Sequence, residues 1–271
     1  MRLLAISDLH LGHPKNRERL ETIGASPEDW LILAGDVGET DAHLTLAFDY
    51  LLPRFARLIW VPGNHELWTT SRTPGALAGE ARYEALVALA RRHGVITPED
   101  PFPVWPDPER PTMIVPMFTL YDYSFRPDDV PLDGVVAWAA AENSVCADEY
   151  LLHPAPYRSR IEWCAARAAL TEARLRALPD DCATVLVNHF PLRQAHARLP
   201  RVPRFTPWCG TRRTEDWPER FRARAVVFGH LHIRKTFEEA GVAFHEVSLG
   251  YPRQWDQQRT IASYMRVILE A

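Results

Sequence analysis

The chain begins MRLLAISDLH, residues 1–10, and this stretch sets the pattern for the rest of the sequence. Residues 3–6 are an apolar run of strand length, and Asp8 and His10 follow it after one small residue. A carboxylate and an imidazole just beyond a strand end can bind one metal ion. An isolated Asp-x-His is more often an ordinary polar turn, so the later sequence must supply further ligands.

Four later apolar runs also end directly before a candidate ligand. They are residues 30–34 before Asp36, 57–61 before Asn64 and His65, 183–187 before His189, and 225–228 before His230 and His232. With His10 after the first run, five of the 11 histidines lie at the ends of the five runs, which make up a small part of the chain. In open α/β sheets, sites form beyond the carboxyl ends of the strands. We therefore expect these side chains to meet at one edge of the fold.

Strand patterns alternate with helical ones along the first hundred residues, which predicts a mostly parallel sheet with helices on its faces. Helices are expected over 15–23, 41–52, 76–92 and 158–178, with shorter ones at 139–148 and 215–223. Residues 242–248 and 261–269 are expected to be antiparallel or edge strands of a second sheet. The predicted fold class is α/β, a four-layer α/β/β/α sandwich of two mixed sheets.

Length and composition favour one large core. With 271 residues, 46% of them hydrophobic, we expect a single domain over 1–271. An irregular insert is expected at about 98–156, where many of the 23 prolines lie. No apolar run reaches the roughly 18 residues that a membrane helix needs, and the N-terminus does not resemble a signal peptide.

Charge and cysteine spacing exclude further classes. The net charge of −4 argues against long nucleic acid or an anionic membrane as a partner. Cys146, Cys164, Cys182 and Cys209 are too far apart for a C-x-x-C motif, so we expect buried thiols of a reducing compartment, the cytoplasm.

The ligand types indicate the chemistry. Asp, His and Asn without Cys suit Mn, Fe, Zn, Co or Ni. One tetrahedral zinc ion cannot use all seven candidate ligands, but two ions that share a carboxylate can. The seven are Asp8, His10, Asp36, Asn64, His189, His230 and His232. Two ions about 3.5–4 Å apart clamp the attacking and leaving oxygens of an in-line displacement at phosphorus. A water bridging them loses a proton near neutral pH and becomes the attacking hydroxide. The set therefore predicts phosphoester hydrolysis.

In chain order, the motifs resemble the signature of the calcineurin-like metallophosphoesterases: Asp8-x-His10, Gly35-Asp36, Gly63-Asn64-His65-Glu66, His189 and Gly229-His230-x-His232. The resemblance implies the fold of that family and a pair of metal ions drawn from Mn, Fe and Zn. It also implies a division of the ligands, with Asp8, His10 and His232 on the first ion, Asn64, His189 and His230 on the second, and Asp36 bridging.

The resemblance further implies that His65 is a catalytic phosphate ligand or general acid, oriented by Glu66 or Asp8. Asn64 and His65 would also contact the substrate. The segment 35–39 lacks the tyrosine that purple acid phosphatases use, and it departs from the Ser/Thr protein phosphatase pattern. Glu39 could support the metal ligands from behind or be a solvated turn residue, and we favour the turn. His13 could line the pocket or be loop surface, and we favour the surface.

Substrate choice is expected to depend on the loops 121–125, 191–213 and 248–255. Arg212, Arg213 and Arg253 could bind a second phosphate or an acidic partner, or be solvated surface residues. Residues 118–125, 210–217 and 248–253 resemble an actinobacterial branch of the family that includes a mycobacterial phosphopantetheinyl hydrolase. That resemblance implies a holo acyl carrier protein as the substrate, cleaved at its phosphodiester link.

Two other interpretations stay open. A phosphodiesterase or phosphatase acting on a small nucleotide or another small phosphoester would use the same chemistry. A non-catalytic, partner-binding scaffold would use the same fold, although every ligand position is filled here.

Overall fold

The structure, a computed structural model, describes residues 1–69, 75–106 and 110–271, which contain two mixed β-sheets. In chain order the strands are β1 (Arg2–Ile6), β2 (Ser26–Ala34), β3 (Phe55–Val61), β4 (Val104–Trp105), β5 (Thr112–Pro116), β6 (Ala183–Val187), β7 (Ala223–Phe228), β8 (Thr236–Glu239), β9 (Val242–Glu246) and β10 (Arg266–Glu270). The first sheet has the order β10-β1-β2-β3, and the second β4-β5-β6-β7-β9-β8. The central strands of each sheet run parallel, while β10, β4 and β8 are antiparallel edges.

Helices connect the strands. They are α1 (Pro14–Arg19), α2 (Asp41–Leu51), α3 (Gly79–Arg92), α4 (Val135–Ala140), α5 (Asp148–Leu151), α6 (Arg160–Arg176) and α7 (Trp217–Arg220). The side chains of Thr40 and Ser159 accept hydrogen bonds from backbone N–H groups in the first turns of α2 and α6. Each thus satisfies one of the N–H groups that a helix start leaves unpaired. The four longer predicted helices are confirmed, although the first is shorter than expected.

The buried hydrophobic residues form three clusters, one between each pair of neighbouring layers of the four-layer fold. Successive side chains of a strand point to opposite faces, so Leu3 and Ala5 of β1 pack between the sheets with Val227 of β7. Leu4 and Ile6 belong instead to the cluster that contains residues of α2 and α3. The outer face of the second sheet packs against α6 and α7. The predicted α/β/β/α sandwich is confirmed.

Several local predictions were wrong. The helix expected at 139–148 is two short helices, α4 and α5, and the one expected at 215–223 is only α7. β9 pairs in parallel with β7 inside the second sheet, and its outer edge is covered by β8, which was not predicted. β8 is polar and mostly exposed, so it carries no apolar pattern. The last strand is shorter than predicted and joins the first sheet, where β1 leaves an open edge.

The segment 98–156 is more regular than expected. Leaving out 107–109, which lie outside the described residues, it supplies β4, β5, α4 and α5. All four cysteines are buried and unpaired, as predicted. Nowhere in the described ranges is a helix both long and apolar enough to cross a membrane.

Candidate metal centre and active site

Polar side chains from the ends of five parallel strands meet at one edge of the two sheets. Their ligand atoms form three groups, each within 4.8 Å: Asp8, His10 and His232; His10, Asp36 and His65; Asp36, His189 and His230. Asn64 directly precedes His65 at the end of β3. Asp36 and His10 each belong to two of these groups. The structure therefore brings together the residues that the strand ends predicted.

The backbone turns sharply at these positions. The φ angles are +54° at Asp8, +43° at His10, +52° at Asp36, +69° at His230 and +55° at His232. Residues other than glycine seldom adopt this region, and each instance costs on the order of 1 kcal/mol or more. Backbone hydrogen bonds between the loops stabilise the turns, for example from Asp8 N to Gly35 O at 2.9 Å. Strain concentrated on five adjacent polar residues indicates a functional site.

Two glycines allow the carboxylates to come close to the neighbouring loops. A Cβ atom at Gly63 would overlap the Asp36 carboxylate, and one at Gly229 would overlap the Asp8 carboxylate. Glycine is therefore required at both positions for the ligand geometry to form.

The buried carboxylates strongly favour positive charge beside them. Burial raises the pKa of Asp8, but the neighbouring His232 outweighs burial and holds that pKa below its usual value. Burial likewise opposes protonation of His189, yet Asp36 raises the pKa of His189 to about 10. Burial lowers the pKa of His10 and of His230 to about 3, so these two imidazoles are neutral and can act as ligands.

Unpartnered polar atoms support a cation at this position. Asn64 Oδ1, His189 Nε2 and His230 Nε2 are all buried and have no hydrogen-bond partner. Buried polar atoms are rarely left unpaired, because each costs about 1–3 kcal/mol. His10 Nε2 and His232 Nε2 lie only 3.2 Å apart beside Asp8. The oxygen and imidazole atoms present fit a pair of divalent ions.

Hydrogen bonds from outside the cluster set which ring nitrogen is available. His189 Nδ1 donates to Ala34 O at 2.9 Å, and His232 Nδ1 donates to Gln254 Oε1 at 2.8 Å. In both rings Nε2 is thereby the nitrogen that faces the carboxylates of the cluster, where a metal ion would be bound. Asp8 Oδ2 accepts hydrogen bonds from the hydroxyls of Ser7 and Ser248.

The prediction that Glu66 orients His65 was wrong. Glu66 is fully buried and accepts hydrogen bonds from the backbone N–H groups of Asp36, Val37 and Gly63 at 3.0, 2.7 and 2.9 Å. Burial, together with the nearby Asp36, raises the pKa of Glu66 to about 7. Its hydrogen bonds go to these backbone groups and not to the His65 ring, so Glu66 connects the loops after β2 and β3.

Glu39 contacts His65 instead, which corrects its assignment as a solvated turn residue. Glu39 Oε1 lies 3.3 Å from His65 Nδ1, and His65 Nε2 lies 3.7 Å from Asp36 Oδ2. Burial lowers the pKa of His65, but the carboxylates of Asp36 and Glu39 outweigh burial and raise that pKa. The two carboxylates thus favour the protonated form of this imidazole.

A cavity of 580 Å³ lies beside His65 and is lined by His13, Glu39, Trp68, Tyr251, Pro252 and Arg253. This volume is within the usual range for small-molecule sites. The Trp68 ring packs on the His65 ring with centroids 3.7 Å apart. His13, which was interpreted as loop surface, lines this cavity.

The three predicted arginines lie in different surroundings. Arg253 is exposed on the cavity and makes no ion pair or side-chain hydrogen bond with any residue in the described part of the chain. Arg212 forms an ion pair with Asp128 and donates a hydrogen bond to Gln194 Oε1. Arg213 Nε lies 3.4 Å from Asp122 Oδ2. Neither of these two lines the cavity beside His65. The structure thus places only Arg253 at the cavity.

The three loops expected to set specificity also differ. Residues 251–253 line the cavity, and the loop 191–213 brings Phe205 against His230, with ring centroids 5.8 Å apart. Tyr121 and Phe125 are fully buried core residues. Their aromatic character therefore reflects packing.

A sequence profile for the family described as calcineurin-like phosphoesterase matches residues 1–234. The chain belongs to this family. It is 50% identical over 270 residues to the acyl-carrier-protein phosphodiesterase PptH of Mycobacterium tuberculosis, a match that covers 98% of this chain and 83% of that protein. The crystal structure of the phosphopantetheinyl hydrolase PptH from the same organism matches with a TM-score of 0.94 and 49% identity, covering 100% of this chain and 96% of that one.

This membership confirms the predicted phosphoesterase fold and class of hydrolase. The sequence did not indicate that Ser7, Gln254, Trp68 and Asp148 contact the candidate ligands Asp8, His232, His65 and Asn64, respectively. Gln254 lies in the segment 248–255, which was expected to lie near the site, so its proximity could have been predicted. Trp68 follows the Gly63–Glu66 motif by two residues, which is a second usable signal.

Proposed function

We propose that this phosphoesterase holds two divalent metal ions at the strand ends and hydrolyses the phosphodiester that links phosphopantetheine to a carrier protein. Asp8, His10 and His232 are assigned to one ion, with Asp36 shared. Asn64, His189 and His230 are assigned to the other. When bound, such a pair neutralises phosphoryl charge and lowers the pKa of water. Mn, Fe and Zn all suit these ligands.

The observation that carries the proposal is the set of buried, unpartnered ligand atoms beside an open cavity. The substrate rests on the 50% identity to PptH, which extends over nearly the whole chain. Trp68 and Tyr251 give the cavity aromatic sides that suit a narrow, flexible arm, while Arg253 offers a free cation to an acidic carrier surface.

His65 is proposed as the general acid. Its Nδ1 faces Glu39, so Nε2 is the nitrogen that can give a proton to the leaving oxygen. In the overall reaction a water oxygen bonds to phosphorus, and the bond breaks between phosphorus and the serine side-chain oxygen of the carrier protein. The serine oxygen takes a proton and phosphopantetheine leaves with its phosphate.

Mass spectrometry of holo-carrier protein tests the proposal. Incubation with enzyme and Mn should remove the phosphopantetheine mass, and Asp36→Asn or His189→Ala should abolish the loss. Persistence of the holo mass at high enzyme concentration, with Mn, Fe or Zn, would refute the carrier-protein substrate. Turnover of small phosphodiesters under the same conditions would then favour the small-phosphoester alternative.

Metal analysis separates the enzyme from a scaffold. We expect about two ions per purified chain and a much lower content in Asp36→Asn. Well under one ion in the wild type would refute the proposed metal pair.

A further inference from the structure

Asp148 is a buried carboxylate behind the active site. It begins the four-residue helix α5, within the segment 98–156, and is 0% exposed. Its Oδ1 accepts a hydrogen bond from Asn64 Nδ2 at 2.9 Å and another from Trp68 Nε1 at 2.6 Å. Within the described ranges no cationic side chain forms an ion pair with this carboxylate, which also lies beside the Cys146 thiol.

The bond to Asn64 determines which end of that amide faces the metals. A carboxylate only accepts hydrogen bonds, so the NH₂ group of Asn64 must face Asp148. Asn64 Oδ1 is then the end that faces away from Asp148, and it is a buried oxygen without a hydrogen-bond partner. Without Asp148, the amide could rotate and present its NH₂ group to the cation.

The bond to Trp68 acts on the proposed general acid. The indole ring lies against His65, with centroids 3.7 Å apart and planes inclined at 31°. His65 also contacts the His10 ring, with centroids 4.6 Å apart. Because Trp68 Nε1 donates a hydrogen bond to Asp148, the indole ring is held in its position against His65.

We propose that Asp148 is a positioning residue that presents Asn64 Oδ1 to the second metal ion and holds Trp68 against His65. The inference rests on the proposed metal pair. It assigns to α5 a role in the site that no strand-end motif indicates.

Glu149, the next residue on the same helix, provides a matched control. Its carboxylate accepts hydrogen bonds from Tyr123 and Trp208 and pairs with Arg160. Glu149→Ala therefore loosens α5 without removing a bond to Asn64 or Trp68. Asp148→Asn keeps an oxygen that can accept both bonds, while Asp148→Ala keeps none.

Calorimetric titration of metal-free protein with Mn is the test. In Asp148→Ala we expect one of the two ions, the one assigned to Asn64, to lose about 10–100-fold in affinity, the usual effect of removing a group that orients a ligand. The other ion should change less than threefold. Asp148→Asn should fall between Asp148→Ala and wild type, and Glu149→Ala should match wild type for both ions.

Several results would overturn the inference. They are unchanged Mn affinity in Asp148→Ala, equal loss at both sites, or equal loss in Glu149→Ala. If Asp148→Ala does not fold, Asp148→Asn decides, and wild-type affinity in that variant counts against the role. Failure of the wild type itself to bind Mn, Fe or Zn would refute the metal pair, so the two failures are distinguishable.

The contact with Trp68 is tested at saturating metal. Asp148→Ala should still show a reduced kcat with little change in KM, because the Trp68 ring is no longer held in place against His65. Full recovery of kcat at saturating metal would overturn this part.

Discussion

Replacing Glu39 by Ala measures how much the contact with His65 contributes to turnover. The distance of 3.3 Å from Glu39 Oε1 to His65 Nδ1 is longer than the roughly 2.7–2.9 Å of strong charge-assisted hydrogen bonds. The Glu39 side chain is also 20% exposed. Hydrogen bonds to charged groups contribute about 1.5–3 kcal/mol, and length and exposure place this one at the lower end. We therefore expect kcat to fall about tenfold, since roughly 1.4 kcal/mol corresponds to a factor of ten.

The loss should depend on the leaving group. A serine oxygen needs a proton as it leaves, whereas p-nitrophenolate leaves readily without one. We expect the tenfold loss with holo-carrier protein and less than a twofold loss with bis-p-nitrophenyl phosphate. Glu39→Gln keeps an acceptor oxygen and should lose about threefold, because neutral hydrogen bonds are roughly half as strong.

The pH profile gives an independent measurement. Glu39 helps to raise the pKa of His65, so its removal should lower that pKa. A general acid must be protonated, so the alkaline limb of kcat should move to lower pH. Asp41→Asn is the control, because it removes a nearby, mostly exposed carboxylate that pairs with Arg82 and not with His65. Equal losses on both substrates, or an unshifted alkaline limb, would refute the role of the contact.

Three further predictions concern stability and binding. Gly63→Ala places a methyl group into the Asp36 carboxylate and should destabilise the fold by about 2 kcal/mol and reduce metal content, measured by urea unfolding and metal analysis. Glu99→Gln leaves Arg167 buried without its anion and should cost about 2 kcal/mol at pH 7. Burial raises the pKa of Glu99, but Arg167 outweighs burial and lowers that pKa. The difference in unfolding free energy between wild type and Glu99→Gln should therefore shrink as pH falls below about 4. A constant difference from pH 7 to 3 would contradict this prediction. Arg253→Ala should raise KM for holo-carrier protein several-fold at low salt and leave KM for a small diester within twofold, and equal changes would argue against a carrier contact.

The metal ligands could be predicted from sequence because the rule that places them is local. Each follows an apolar strand pattern by a few residues, and parallel strands end at the same edge. The role of Glu39 could also have been inferred, because it lies three residues after Asp36 in the same loop. The solvated-turn interpretation failed because the sequence does not show that the loop folds toward His65.

Asp148 illustrates what sequence patterns cannot provide. It lies 84 residues from Asn64, on a helix too short to show periodicity. Its position depends on tertiary contacts such as those of Glu149 and Arg160. The edge strand β8 was missed for a related reason, since its residues are polar and its existence depends on pairing with β9.

The left-handed backbone at His10, His230 and His232 has a consequence for the evolution of this fold. Gly or Asn fits such angles with less strain, so mutation to either would gain local stability wherever metal binding no longer matters. Relatives that have become scaffolds are therefore expected to drift toward Gly and Asn at these positions, while enzymes retain His against that drift. For the same reason, engineering that selects variants for stability alone is expected to replace these metal ligands first.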